Sequence, residues 1–283
     1  MPLPMVKEIK KEKKSNIKNI ICIAAGKGGV GKSTITVNLA HALKNSGFKV
    51  GILDADLYGP SLRQMLPEDK IPIQKGETII PAISWGIKTI SMAFFKNANE
   101  SSAVRAPIAN SIIKQFLENV AWGELDYLLI DFPPGTGDIQ LTLCQQGFLT
   151  GAVMITTPQL VSLLDVRKAM ELFRKVNVPI IGIIENMSYY IVNDSKAYPF
   201  GVGGGEHLAA ESGVPILGMI PLSPTLCEYS DSGKSLFYTN NSQTECLKTL
   251  FLQIKNEVIT QIENLSLNQK LYLKEFEFTW KKF

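Results

Sequence analysis

From Ile20 onward, two kinds of apolar segment alternate along the chain. The run IICIAA is unbroken and leads into a glycine-rich stretch, GKGGVGKST; ITVNLAHALKNSG then spaces its apolar residues three and four apart and stops at Gly47. That reads as strand, turn and amphipathic helix, with glycine where a helix terminates. A second apolar run, KVGILD, follows at once. Two strands joined through one helix make a βαβ unit, which demands parallel strands and a right-handed crossover. Runs at 127–131 (YLLID), 151–157 (GAVMITT), 178–184 (VPIIGII) and 214–220 (VPILGMI) repeat the theme. None alternates apolar with polar, as expected of strands covered on both faces. Helical periodicity fills 106–120, 139–147, 161–176 and 206–212. The pattern predicts an α/β fold, one doubly wound, mostly parallel sheet with helices on both faces, over about residues 18–238.

The rest is less regular. Residues 71–83 carry Pro72, Pro81 and Gly76 among β-branched positions, which predicts a short edge hairpin, and 87–92 reads as a further strand. After Tyr238, NNSQT opens a helix in which Leu247, Leu250, Phe251, Ile254, Val258, Ile262 and Leu265 recur at three and four. That seam either docks on the parent sheet, the simpler expectation, or meets a partner helix. Residues 239–283 thus form a C-terminal helical extension ending in an aromatic tail (Tyr272, Phe276, Phe278, Trp280 and Phe283).

Composition narrows the class. With 283 residues, 45% hydrophobic and 19% charged, the chain is neither disordered nor a disulfide scaffold, and it can bury a full core. The net charge is +3, and six lysines (7, 10, 11, 13, 14 and 18) against Glu8 and Glu12 put +4 into the first stretch. Residues 1–17 therefore read as a basic flexible leader, and the near-neutral remainder offers no broad electropositive face for nucleic acid. The first 14 residues lack the apolar core of a secretory signal, and no run approaches a membrane span. Cys22, Cys144, Cys227 and Cys246 lie 122, 83 and 19 residues apart with no CxxC, the usage of a reduced, cytoplasmic protein.

The chemistry is concentrated after the first strand. Gly26-Lys27-Gly28-Gly29-Val30-Gly31-Lys32-Ser33 matches GxxxxGK[ST] in full, between a strand and a helix as the motif requires. The glycines let successive N–H groups turn inward as an anion nest, and the following helix adds its positive end. Lys32 supplies an ammonium for the β and γ phosphates of ATP, and Ser33 an oxygen for Mg²⁺. Asp54 and Asp56 close the second strand and Asp131 closes YLLID; carboxylates there can hold Mg²⁺ directly or through water, or orient the attacking water. The loop FPPGTGD that follows is built to move as one piece, and Asp138 suits a helix cap.

Lys27 is redundant within one phosphate cradle. In carrying KGGVGKS the chain resembles the deviant Walker A ATPases, the ParA/MinD-like group of SIMIBI-type P-loop NTPases, in which the first lysine reaches the partner's phosphates across a homodimer. The resemblance implies a trans role for Lys27 and slow intrinsic turnover. Further motifs, LDADLYGPS, WGELDYLLIDFPPGTGDIQLTL, VPIIGIIENMSYY, FGVGGGEHLA and SGVPILGMIPL, run in order and look like the Mrp/ApbC branch, the iron-sulfur cluster carrier ATPases. This implies that Gly28, Gly29, Gly31, Lys32, Ser33 and Thr34 hold the phosphates, with Gly26, Lys27 and Val30 completing the loop. Asp56 and Asp131 become the switch I and switch II aspartates, and Asn186 and Pro221 flank the adenine. Iron-sulfur apo-proteins or assembly scaffold proteins are the implied partners. The alternatives are a ParA/MinD-like spatial regulator, and a nucleotide-gated scaffold without its own cluster.

One departure stands out. The carriers place a CxxC shortly after ENMSY, giving a dimer four thiolates for a bridging [4Fe-4S] cluster, whereas this chain has Val192 and Ser195 at those positions. Of its own cysteines, Cys22 reads as core and Cys144 lies on an apolar helix. Cys227 and Cys246 straddle the end of the domain. His41 and His207 have no partner at ligand spacing and read as surface histidines.

Overall fold

The computed structural model describes residues 15–56, 61–91, 94, 106–146, 149–239 and 241–280. The leader up to Lys14, the LYGP of the LDADLYGPS motif and Phe283 lie outside them. An eight-stranded sheet in the order β12-β9-β8-β1-β7-β2-β6-β5 forms the centre. Its strands are β1 (Ser15–Ala25), β2 (Val50–Asp54), β5 (Ala82–Ser84), β6 (Ile87–Ser91), β7 (Gly123–Asp131), β8 (Gly151–Thr156), β9 (Ile180–Glu185) and β12 (Ile216–Met219). All pairs are parallel except the edge pair β5–β6. Two small antiparallel ribbons stand apart: β3 (Ile73–Lys75) with β4 (Thr78–Ile80), as the Pro- and Gly-punctuated stretch predicts, and β10 (Tyr190–Val192) with β11 (Ser195–Ala197).

Both faces are apolar for the reason the runs suggest. Along β1, Cys22 and Ala24 enter one core while Ile21, Ile23 and Ala25 enter the other, so each face takes alternate residues of a continuous apolar strand. The first core is closed by α3 (Ala106–Asn119), α4 (Asp138–Gln146), α5 (Leu160–Lys175) and α6 (Gly204–Ser212). The second is closed by α1 (Lys32–Asn45), the short α2 (Leu62–Met65), α7 (Pro224–Asp231) and α8 (Ser242–Trp280). No helix among the described residues is long and apolar enough to cross a membrane.

Three features differ from the sequence expectation. β1 begins at Ser15 rather than Ile20, because the parallel ladder to β7 continues through the polar residues Asn16 and Asn19, with Lys18 paired to Asp126 at 2.7 Å. The C-terminal extension is one 39-residue helix that carries on through the aromatic stretch as far as Trp280. Its seam docks on its own chain: Phe251, Ile254 and Val258 are fully buried in the second core. Lys255, on the same flank, is buried and donates to Ser46 Oγ at 3.0 Å, placing its ammonium at the carbonyl end of α1, where a positive charge is favoured.

The third is His41. It is a core residue, 1% exposed, because Trp85 from the β5–β6 turn and Phe237 and Tyr238 from the turn before α8 close over that flank of α1 with ring centroids at 6.0–6.5 Å. Its Nδ1 has no hydrogen-bond partner, and burial lowers its pKa from 6.5 to about 4. The unfolded chain therefore binds the extra proton first. Stability from this residue is complete above pH 6.5 and falls as the pH drops toward 4. Urea unfolding should show about 2 kcal/mol lost between pH 7.5 and pH 5 that a His41→Phe variant does not lose. Equal pH slopes for parent and variant would remove His41 as the cause. His207 is exposed, as expected.

Candidate functional site

The C-terminal ends of the parallel strands carry the chemistry. β1 runs into the loop 26–31, and Gly31, at φ 83°, is the N-cap of α1. A side chain at Gly31 would overlap the amide nitrogen of Asn186, and one at Gly26 would collide with the backbone of Asp165 on α5. The loop is therefore wedged between two elements, and glycine is required at both close approaches. A cavity of about 240 Å³ opens on it, lined by Lys27, Gly28, Gly29, Val30, Gly31, Lys32, Ser33, Thr34 and Asp56, with Ser61, Met65 and Pro134 completing the wall.

Lys32 and Asp131 form a buried ion pair at 2.7 Å, 7% and 1% exposed. Asp131 also accepts from Ser33 Oγ at 2.6 Å and from Thr36 Oγ1 at 2.9 Å. The carboxylate at the end of β7 thus gathers the ammonium and the hydroxyl that the motif assigns to phosphate and magnesium. Thr36, one turn after Lys32, has no place in the motif; its signal in the sequence is a third hydroxyl of α1, after Ser33 and Thr34, set between Ile35 and Val37.

Asp54 and Asp56 separate. Asp56 lines the cavity. Asp54, expected beside the metal, does not line the cavity: 1% exposed, it accepts from Ser91 Oγ at 2.7 Å and from the Asp56 N–H at 3.1 Å. Burial, then repulsion from Asp131, pushes its carboxyl up to about 7. This carboxylate holds the Asp56 backbone in place, and its partner Ser91 lies 37 residues away, out of reach of any local motif.

Lys27 takes no part in the Asp131 cluster. Its ammonium lies 3.5 Å from Gln159 Oε1, at the N-cap of α5. Asn186 donates to the Val30 carbonyl at 2.8 Å and so props the phosphate loop from behind. It follows β9, and half-buried Pro221 follows β12, both on the side of the sheet where the loop lies. In the switch segment, Gln140 on α4 donates to the carbonyls of Pro133 and Pro134, at 3.2 and 2.8 Å, and ties the Pro-Pro turn to its helix.

The donor set for a cluster is different in kind. Val192 and Ser195 are paired across the β10–β11 hairpin, flanking a two-residue turn of Asn193 and Asp194 at φ 48° and 59°. Neither offers a thiolate. Cys22 and Cys144 are buried and burial raises both thiols, Cys144 to about 12. Cys227 on α7 and Cys246 on α8 are exposed, and no group of three or more metal-binding side chains occurs among the described residues. The residues at the hairpin do not fit an iron-sulfur cluster.

The family model of the NUBPL iron-transfer P-loop NTPases, within ParA, matches residues 16–259. The iron-sulfur cluster carrier protein of Synechocystis sp. is 45% identical over 252 residues, which cover 86% of this chain and 71% of that protein. The iron-sulfur cluster carrier protein of Aquifex aeolicus is 42% identical over 263 residues, 91% of this chain and 71% of its own length. Among solved structures, the nucleotide-binding protein of Archaeoglobus fulgidus in complex with ADP aligns with a TM-score of 0.69 at 37% identity, over 81% of this chain and 91% of that one.

Proposed function

The chain belongs to the NUBPL iron-transfer family of P-loop NTPases, and from that membership we propose that it works as a homodimeric, magnesium-dependent ATPase in iron-sulfur cluster assembly, acting on apo-proteins or scaffold proteins. The observation that carries the reading is the division of labour between the two lysines. Lys32 sits inside the Asp131 cluster, while Lys27 stands outside it at the cavity mouth beside Gln159.

In this reading Lys32 and the N–H groups of residues 28–34 hold the phosphates, and Ser33, Asp56 and Asp131 hold Mg²⁺. The ion, when bound, draws charge from the β and γ oxygens. Asp54 positions Asp56 rather than meeting the metal. Asn186 and Pro221 would meet the edge and face of the adenine, the amide offering a hydrogen bond and the proline an apolar cover. Asp56 orients the attacking water. Lys27 supplies a cation to the phosphates of the second subunit, which makes hydrolysis wait for dimerisation and turnover slow in the single chain. Four unpaired cysteines suit a reducing, cytoplasmic setting.

Lys27→Ala tests this. Light scattering with Mg²⁺ and a non-hydrolysable ATP analogue should show a dimer for the parent and a weakened one for the variant. ATP hydrolysis should fall about 100-fold while nucleotide affinity of the single chain is kept. ATP-dependent cluster delivery to an apo-protein, followed by its visible absorbance, should fall with it. A variant that dimerises and hydrolyses like the parent removes the trans role.

A further inference from the structure

The β10–β11 ribbon has its own chemistry. Every residue of both strands is exposed, and an isolated two-stranded ribbon is marginal in water. Here it is held by its turn, by the Leu222 N–H donating to the Tyr189 carbonyl at 2.7 Å, and by Lys196 lying over the Tyr189 ring at 4.2 Å. Yet it presents Tyr190, Ile191 and Val192 at 37%, 48% and 44% exposure, with Tyr198 beside them at 44%. Tyr190 and Val192 share one face of the strand and Ile191 lies on the other, and apolar side chains left open on both faces of an edge strand suit a contact with another protein.

Both ends of the ribbon are anchored to the parts that hold the phosphate loop. On the entry side, Asn186 props Val30, and Glu185 accepts from the Gly205 N–H at the start of α6. On the exit side, Gly204 packs so closely on the Pro158 carbonyl that a side chain there would overlap it, and Gln159 next to it meets Lys27.

We propose that β10 is a metal-free contact for a second copy of this chain, seated edge to edge across a two-fold axis. This rests on the homodimer reading above and specifies how the two chains meet on this face. Charge selects the edge. Antiparallel pairing of β10 with its copy sets Ile191 against Ile191 and Tyr190 against Val192, with no charge in the strand. Pairing through β11 would set Lys196 against Lys196, and like charges directly opposite are destabilising. Val192 and Ser195, where a bridging cluster would need thiolates, instead form the last pair of the ribbon, so apolar contact and strand pairing take the place of metal bridging.

Sedimentation of the full chain with Mg²⁺ and a non-hydrolysable ATP analogue, paired with iron and sulfide counting after anaerobic reconstitution, tests the proposal. The parent should dimerise and carry only background iron. Ile191→Asp, at a position open to solvent and outside the nucleotide site, should weaken that dimer by about tenfold or more while ATP binding to the single chain is unchanged. Ile191→Ser should weaken it less. An Ile191→Asp dimer as tight as the parent's overturns the contact. Stoichiometric iron and sulfide in the parent, lost on Cys227→Ser or Cys246→Ser, overturns its metal-free character. A parent that stays monomeric with the analogue fails the homodimer reading itself, and this contact with it.

Discussion

Lys32→Ala is expected to lower ATP affinity by about 100-fold, the loss of about 3 kcal/mol of charge-assisted contact to the β and γ phosphates. A second effect accompanies it. Lys32 is also the cation that neutralises Asp131, which is 1% exposed and would be left with hydroxyl donors alone. Stripping a buried carboxylate of its partner costs roughly 3–5 kcal/mol, so the variant should also unfold at lower urea concentration in the absence of nucleotide. The two effects separate in a double variant. Asp131→Asn removes the orphaned charge, so Lys32→Ala with Asp131→Asn should regain most of the stability and none of the affinity. Calorimetry with Mg-ATP reads the first quantity and urea denaturation the second. Unchanged ATP affinity in the single variant would take Lys32 out of the phosphate site. Stability that stays low in the double variant would show that the ion pair was not its source.

What the sequence makes legible follows from how local each feature is. The phosphate loop is legible because its chemistry needs glycines, a lysine and a hydroxyl at fixed spacing between a strand and a helix, and the fold supplies that setting. The central strands are legible because burial on both faces removes polar residues from them. Features that depend on distant partners are not. Ser91 and Thr36 find Asp54 and Asp131 across 37 and 95 residues. His41 looks like the polar flank of an amphipathic helix until Trp85, Phe237 and Tyr238 are folded over it. The first turns of β1 carry Asn16, Lys18 and Asn19, and are strand only because the ladder with β7 extends that far. α7 was within reach: Ser223 followed by Pro224 is a helix-start signal, and the Ser223 hydroxyl accepts from the Leu226 N–H.

Phe251→Ala is expected to destabilise the folded chain by about 3–5 kcal/mol, read as a lowered urea midpoint with little change in slope. The apolar seam of α8 is compatible, from its periodicity, with packing on a partner as well as on its own chain, and the two arrangements give different results. Phe251 is fully buried among residues of the second core, on the helix that also places Lys255 at the end of α1. Truncation to alanine removes the whole ring from a packed interior, and the helix cannot close the gap while Ile254 and Val258 hold the adjoining turns against the same face. The loss should therefore appear at every protein concentration and without nucleotide. Were α8 a dimerisation helix, the same substitution would leave the stability of the single chain unchanged and shift only the monomer–dimer equilibrium. A concentration-dependent midpoint in the parent that disappears in Phe251→Ala would favour that arrangement over docking on the parent sheet.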